Sequence, residues 1–200
     1  MARGVESGLE LQPLLERASV LVVGPGLGQS SWSELLLQQA LAVDLPMVLD
    51  ADALNILSSP GWQTEFGGRD VIITPHPGEA ARLLGMDIAD VQRDRFRSAQ
   101  TLAERYQVIV VLKGQGTLLA HPDGRLALCS DGNPGMSSGG MGDVLSGVLG
   151  AMLAQQTDAW AAARLGVCVH SAAADLAIRG SGERGLLATD LMMKLRELVN

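Results

Sequence analysis

The chain has 200 residues, of which 24 are glycine, 47% hydrophobic and only 3% aromatic, a length that suits one domain with a substantial core. Its formal charge of −7 gives a nucleic-acid backbone nothing to grip, which excludes that class of partner. Two isolated cysteines and three scattered histidines suggest neither a disulfide framework nor a zinc site.

No apolar run approaches the roughly 18 residues that a membrane span needs. The opening MARGVESGLE lacks the apolar stretch of a signal peptide. The expected setting is therefore a reducing, cytoplasmic one, with no membrane partner.

Short runs of Val, Ile and Leu follow in chain order at 19–24, 46–50, 70–74 and 107–114, then at 117–120 and 126–129. Continuous apolar runs of this length predict strands buried on both faces. Helical spacing over 31–42, 78–85 and 90–105 separates the first four, so a mostly parallel sheet flanked by helices is predicted. HPDGR at 121–125 predicts a hairpin with Asp123 and Gly124 at its tip, placing an antiparallel edge on that sheet. The remainder reads as helices over 142–155, 158–179 and 188–199, the second capped by Asp158 and the third by Thr189 or Asp190.

The loops that follow these strands carry the chemistry. VVGPGLGQS sets Gly24, Gly26 and Gly28 directly after the first strand, at the sheet edge where open α/β folds bind ligands, with a plain tight turn as the alternative. It is not GxGxxG, so a dinucleotide fingerprint is not supported. VLDADALN ends the second strand with Asp50, Asp52 and Asn55, where capping by Asp52 is preferred over magnesium held through water. TPHPGEA holds His76 between Pro75 and Pro77, a poor setting for a core histidine, and opens a helix at Gly78 and Glu79.

VLKGQGT gathers a lysine, flexible amides and a hydroxyl in Lys113, Gly114, Gln115, Gly116 and Thr117, which are phosphate-binding groups although the spacing is not that of a P-loop. A solvated hairpin lysine is the competing reading. NPGMSSGGMGDVLSG is the most specific stretch: Gly139, Gly140 and Gly142 bare successive amides where a helix begins, so they can surround an oxyanion. Asp143 follows in the first turn. A first-turn aspartate is most often a cap, but beside an anion hole it would repel the phosphate, so a base that takes a hydroxyl proton explains it better. His121 and His170 receive no chemical role, and Trp32, Trp62 and Trp160 read as core fillers or subunit contacts.

GPGLG, DADALN, TPHPGEA, LKGQGT and the long glycine stretch, in this order from about residue 18 onward, closely resemble the ADP-dependent NAD(P)H-hydrate dehydratases of the ribokinase-like superfamily. The resemblance implies phosphorylation of the hydroxyl on a hydrated NADH or NADPH ring, followed by loss of phosphate to restore the dihydronicotinamide. It makes Asp143 the base and puts Gly140 and Gly142 in the anion hole. It sets Lys113 to Thr117, with Gly142, on the nucleotide phosphate and Gly26, Gly28 and His76 on the hydrated dinucleotide. Glu79 matches a superfamily glutamate that organises Mg2+ through water, and ADP is the implied phosphoryl donor.

The family's N-terminal segment, with an HKG sequence and a glycine-serine loop, has no counterpart here, and neither does the epimerase domain of many bacterial members. The expectation is one N-terminally truncated domain over 1–200, with an exposed sheet edge that invites homo-oligomer formation or an epimerase partner. Two rival readings are a vitamin-precursor kinase of the same superfamily and an inactive nucleotide-binding fragment. ADP against ATP stays open on the residues alone.

Overall fold

The structure, a computed structural model, describes residues 2–62, 66, 68–155 and 158–200. Six strands form one sheet in the order β1-β2-β3-β4-β5-β6. They are β1 (Leu21–Val23), β2 (Met47–Leu49), β3 (Val71–Ile73), β4 (Ile109–Leu112), β5 (Thr117–Ala120) and β6 (Leu126–Cys129). Strands β1 to β4 run parallel, and β5 and β6 add the antiparallel edge. Every strand expected from the apolar runs is present, and the β5–β6 loop turns at Gly124, whose φ is +94°.

The helices are α1 (Gly8–Leu15), α2 (Ser31–Ala42), α3 (Ala51–Leu57), α4 (Pro77–Leu84), α5 (Ile88–Arg93), α6 (Arg95–Tyr106), α7 (Met141–Leu153), α8 (Ala159–Ala177) and α9 (Leu191–Leu198). Because neighbours in the sheet are also neighbours in sequence, successive right-handed crossovers put the helices between β1 and β4 on one face. The opposite face is left to α7 and α8.

Side-chain alternation along the strands makes this division visible. Met47, Leu49, Val71, Ile73, Val110 and Leu112 point to a core shared with Leu37 of α2, Leu54 of α3 and Leu102 of α6. Their neighbours Val48, Ile72, Ile109 and Val111 point to a second core with Leu145, Leu149 and Val167. Helix α7 can lie close over the sheet edge because of Gly150, where a Cβ would stand 2.5 Å from Cγ2 of Val22. A third, smaller core joins Met141, Ala173, Ala174, Leu186 and Leu191 beneath α8 and α9.

Three features differ from the sequence expectation. The helix expected over 90–105 is two helices, divided at Asp94, whose carboxylate accepts from the Arg97 amide and so starts α6 afresh. Helix α9 is preceded by a 3₁₀ turn over Ala188–Asp190, in which Asp190 accepts from the Leu187 amide. Helix α1, which carries Pro13 inside it, was not expected, and α3, implied only by the cap expected at Asp52, is just seven residues long. Asp158 caps α8 as expected, its carboxylate accepting from the amides of Trp160 and Ala161.

Trp160 is buried and Trp62 packs against the first core, in line with core filling, whereas Trp32 is exposed. Among the described residues no helix is long and apolar enough to cross a membrane.

Candidate active site

The loops singled out in the sequence meet at the carboxyl ends of β1 to β4, where α3, α4 and α7 begin. Helix α7 starts at Gly140, whose φ of +85° is a left-handed conformation that glycine adopts without strain. Gly140 offers no side-chain acceptor, and the first-turn amides of α7 have no side-chain cap among the described residues. Asp143 sits exposed in that turn, and its carboxylate has no hydrogen-bond or ion-pair partner among the described residues. It is not the cap of its own helix.

Lys113 follows β4 directly and is far from solvated. Its ammonium lies 2.6 Å from Oδ1 of Asp50 and 3.8 Å from Oε2 of Glu79, and its side chain is 20% exposed. A Cβ at Gly142 would stand 3.4 Å from that ammonium, so the start of α7 lies close against it. The loop after Lys113 is clamped from outside by Arg95, whose guanidinium donates to the carbonyls of Leu112, Lys113 and Gln115. With its carbonyls held there, Gly114 takes a φ of +135° and Gly116 one of +68°.

The acidic stretch after β2 divides its two carboxylates between different tasks. Asp50 is 1% exposed and accepts from Lys113 on one oxygen and from the Ser146 hydroxyl, at 2.7 Å, on the other. Asp52 accepts from the Gly28 amide at 2.8 Å and from Gln29. It ties down the Gly24–Gly28 loop and does not cap α3, which corrects the capping expectation. Between them Ala51 holds a φ of +47°, an uncommon conformation for a residue with a Cβ that costs on the order of 1–3 kcal/mol. Gly24 is equally constrained, since a Cβ there would stand 1.7 Å from the Asp50 carbonyl oxygen. Gly26, at the loop tip, faces open space.

His76 caps α4 with its ring. Nδ1 accepts from the amides of Gly78 and Glu79, and the Glu79 carboxylate accepts in return from the His76 amide at 2.8 Å. Burial lowers the His76 pKa from its ordinary value, against an opposing pull from Glu79 and with help from Lys113. The neutral ring this favours is also the form that can accept at Nδ1. Glu79 is 4% exposed and lies 3.4 Å from the other ring nitrogen, so His76, Glu79, Lys113 and Asp50 form one chain of contacts.

A cavity of about 500 Å3 opens beside this chain. Lys113, Gly114, Gln115, Gly116, Thr117 and Gly142 line it, so the expected nucleotide residues do share one space. Gly26, Gly28 and His76 lie outside that lining; His76 is linked to the lining residue Lys113 through Glu79, and Gly28 is tied to Asp52. Met141 and Gly142 of α7 line the cavity, and Gly140 and Asp143, which flank these two in sequence, are not among the lining residues. A cavity of about 600 Å3 at the opposite ends of β3 and β4 holds none of the motif residues.

Three lining or supporting residues were not assigned a role from the sequence. Asn133 caps the 3₁₀ turn Pro134–Ser137 and donates to Asp175 of α8, which also accepts from the Gly132 amide at 2.9 Å. Asp175 thereby holds the cavity's outer wall to α8. His170 lines the cavity with Nε2 buried and without a hydrogen-bond partner among the described residues, and burial pushes its pKa down to about 4. The NPG sequence was a turn signal that could have drawn attention to Asn133; nothing in an alanine-rich helix marks Asp175 or His170.

Known proteins share both the sequence and the fold. The sequence profile of the NAD(P)H-hydrate dehydratase family matches residues 1–197, starting well before the expected residue 18. The bifunctional NAD(P)H-hydrate repair enzyme of Coxiella burnetii is 52% identical over 200 residues, all of this chain and 40% of that protein. The ADP-dependent (S)-NAD(P)H-hydrate dehydratase of Neisseria meningitidis is 42% identical, covering 90% of this chain and 62% of its own. The crystal structure of the ADP/ATP-dependent NAD(P)H-hydrate dehydratase from Bacillus subtilis, co-crystallised with ATP and Mg2+, matches with a TM-score of 0.80 and 34% identity over 90% of this chain and 64% of that one. A hydroxyethylthiazole kinase from Pyrococcus horikoshii shares the fold at 18% identity and a TM-score of 0.76. The chain thus spans between 40% and 62% of the two curated relatives named. With its ribokinase-like α/β fold and a family match over nearly its whole length, the chain belongs to the NAD(P)H-hydrate dehydratase family.

Proposed function

We propose that this chain uses ADP to dehydrate hydrated NADH and NADPH, and that Asp143 is the base of the phosphoryl transfer. The observation that carries the proposal is Asp143, without a hydrogen-bond or ion-pair partner among the described residues, in the first turn at the positive end of α7, whose Met141 and Gly142 line the Lys113–Thr117 cavity. The name of the Neisseria relative supports ADP as the donor.

In this reading the ADP phosphates lie along Lys113, Gly114, Gln115, Gly116 and Thr117, and the terminal phosphoryl group faces Gly140 and Gly142. Asp143 takes the proton of the ring hydroxyl as its oxygen bonds to phosphorus, and AMP leaves. The C–O bond to the ring then breaks with loss of phosphate, and a proton leaves the adjacent carbon to restore the double bond. Gly26, Gly28 and His76 would hold the dinucleotide.

The donor set fits magnesium only when it is carried by the nucleotide. Among the described residues no group of three or more metal-binding side chains exists, and Glu79 is already engaged by the His76 amide. Glu79 would reach the ion through water, and the ion would neutralise charge on the transferred phosphoryl group. We also propose that 1–200 acts as one domain, and that self-association or an epimerase partner covers the β1 edge, where Val22 is exposed.

The test is incubation of the chain with prepared NADH hydrate, ADP and Mg2+. Recovery of the dihydronicotinamide absorbance, with AMP and free phosphate formed in equal amounts, supports the proposal. A stable phosphomonoester would instead identify a kinase, and ADP binding without turnover a nucleotide-binding fragment.

A further inference from the structure

We propose that Asp50 is a positioning residue that sets Lys113 and the first turns of α7 in one fixed register for phosphoryl transfer. This rests on the proposed function. The carboxylate is almost wholly buried, yet each oxygen has a different partner from a different part of the chain: the Lys113 ammonium just after β4 at 2.6 Å and the Ser146 hydroxyl of α7 at 2.7 Å. Ser146 lies three residues beyond Asp143 in the same helix, close to one turn away. A single buried group therefore fixes both the cation that faces the phosphates and the helix that carries the base.

Two independent features show that the surrounding chain is shaped around this carboxylate. Ala51 takes a left-handed φ of +47° directly after it, and Gly24 admits the Asp50 carbonyl where any Cβ would collide. At Gly142 a Cβ would come within 3.4 Å of the Lys113 ammonium and 3.7 Å of Oδ2 of Asp50, so the anion-hole glycine abuts the pair itself. Misplacement of a reacting group by about 1 Å can cost on the order of 100-fold in rate, which is the scale expected for loss of this anchor.

The experiment is a cycle of Asp50→Asn and Lys113→Ala, singly and together, with turnover of NADH hydrate, ADP affinity by calorimetry and thermal midpoint measured for each. Asp50→Asn keeps the shape and a Ser146 partner but removes the charge. Turnover should fall about 100-fold while ADP affinity stays within about threefold, because a negative charge has left the phosphate site. In the Lys113→Ala background the same substitution should cost less than about threefold more. Ser146→Ala is the second variant should Asp50→Asn not fold. It should lower turnover about tenfold while ADP affinity stays within about threefold, a split that a loss of stability alone would not produce.

Equal losses from Asp50→Asn in both backgrounds, or turnover and ADP affinity falling in step with stability, would overturn the assignment. So would a Ser146→Ala variant as fast as the unsubstituted chain. An unsubstituted chain that neither binds ADP nor restores the hydrate would instead remove the functional reading on which the assignment rests.

Discussion

Asp50, packed near Gly142, and Asp143, the residue after it, could hardly be treated more differently by the fold. Asp50 is 1% exposed, with a lysine on one oxygen and a serine on the other. Asp143 is exposed at the head of a helix, and no side chain satisfies it among the described residues. A carboxylate that must accept a substrate proton cannot already be saturated with donors. One that must hold other groups in place is best saturated and dry. Burial and partnering, more than residue type, separate the two roles.

The contrast is broken most severely at Asp143 itself. Asp143→Asn should lower turnover by about 1,000-fold while leaving ADP affinity and the unfolding midpoint in urea nearly unchanged, because the side chain supports nothing else. Losses of stability and ADP binding as large as the loss of rate would make Asp143 a structural group after all.

Gly24→Ala attacks the opposite side. With φ at +127° and a Cβ placed 1.7 Å from the Asp50 carbonyl oxygen, this variant should lose about 3 kcal/mol of stability, read from urea denaturation. A variant of normal stability would show that the backbone near Asp50 yields easily.

His170 sharpens the comparison through pH. Its folded-state pKa is depressed from 6.5 to about 4, so the unfolded chain binds the proton first as pH falls. Stability is full above pH 6.5 and declines between 6.5 and about 4, by about 3 kcal/mol in all. His170→Gln should flatten that acid limb in a series of denaturant titrations, and an unchanged limb would show that burial of His170 does not govern it.

The smallest effect belongs to Asp52. Asp52→Ala frees the Gly28 amide and should cost about 1 kcal/mol of stability. It should raise the KM for the hydrated dinucleotide severalfold and leave the turnover number and ADP affinity unchanged. A change confined to ADP affinity would move the Gly24–Gly28 loop to the nucleotide side of the site.

The sheet was legible because its strands read as unbroken apolar runs between glycine and proline loops; β2 to β4 are buried on both faces as expected, whereas β1 and β6, at the two edges, expose Val22, Leu126 and Leu128. The division between α5 and α6 was not, since Asp94 interrupts an otherwise continuous helical spacing and shows itself only through its bond to the Arg97 amide. Helix α3 hid behind DADALN, where the acidic residues suggested a cap or metal and the backbone turn at Ala51 left no sequence signature. At the site, the glycines and Lys113 were readable because exposed amides and a terminal lysine are local features. The partnership of Asp50 with Ser146 was not, because 96 residues separate them and either is ordinary by itself. Asp175 with Asn133 is the same case.

The account stands most directly on hydrate-dependent cleavage of ADP by the unsubstituted chain. With Mg2+ present, AMP should form from ADP only when NADH hydrate is added, in equal amount to the dihydronicotinamide recovered. AMP formation independent of the hydrate, or hydrate restored with ADP left intact, would contradict transfer of a phosphoryl group to the ring hydroxyl at the head of α7.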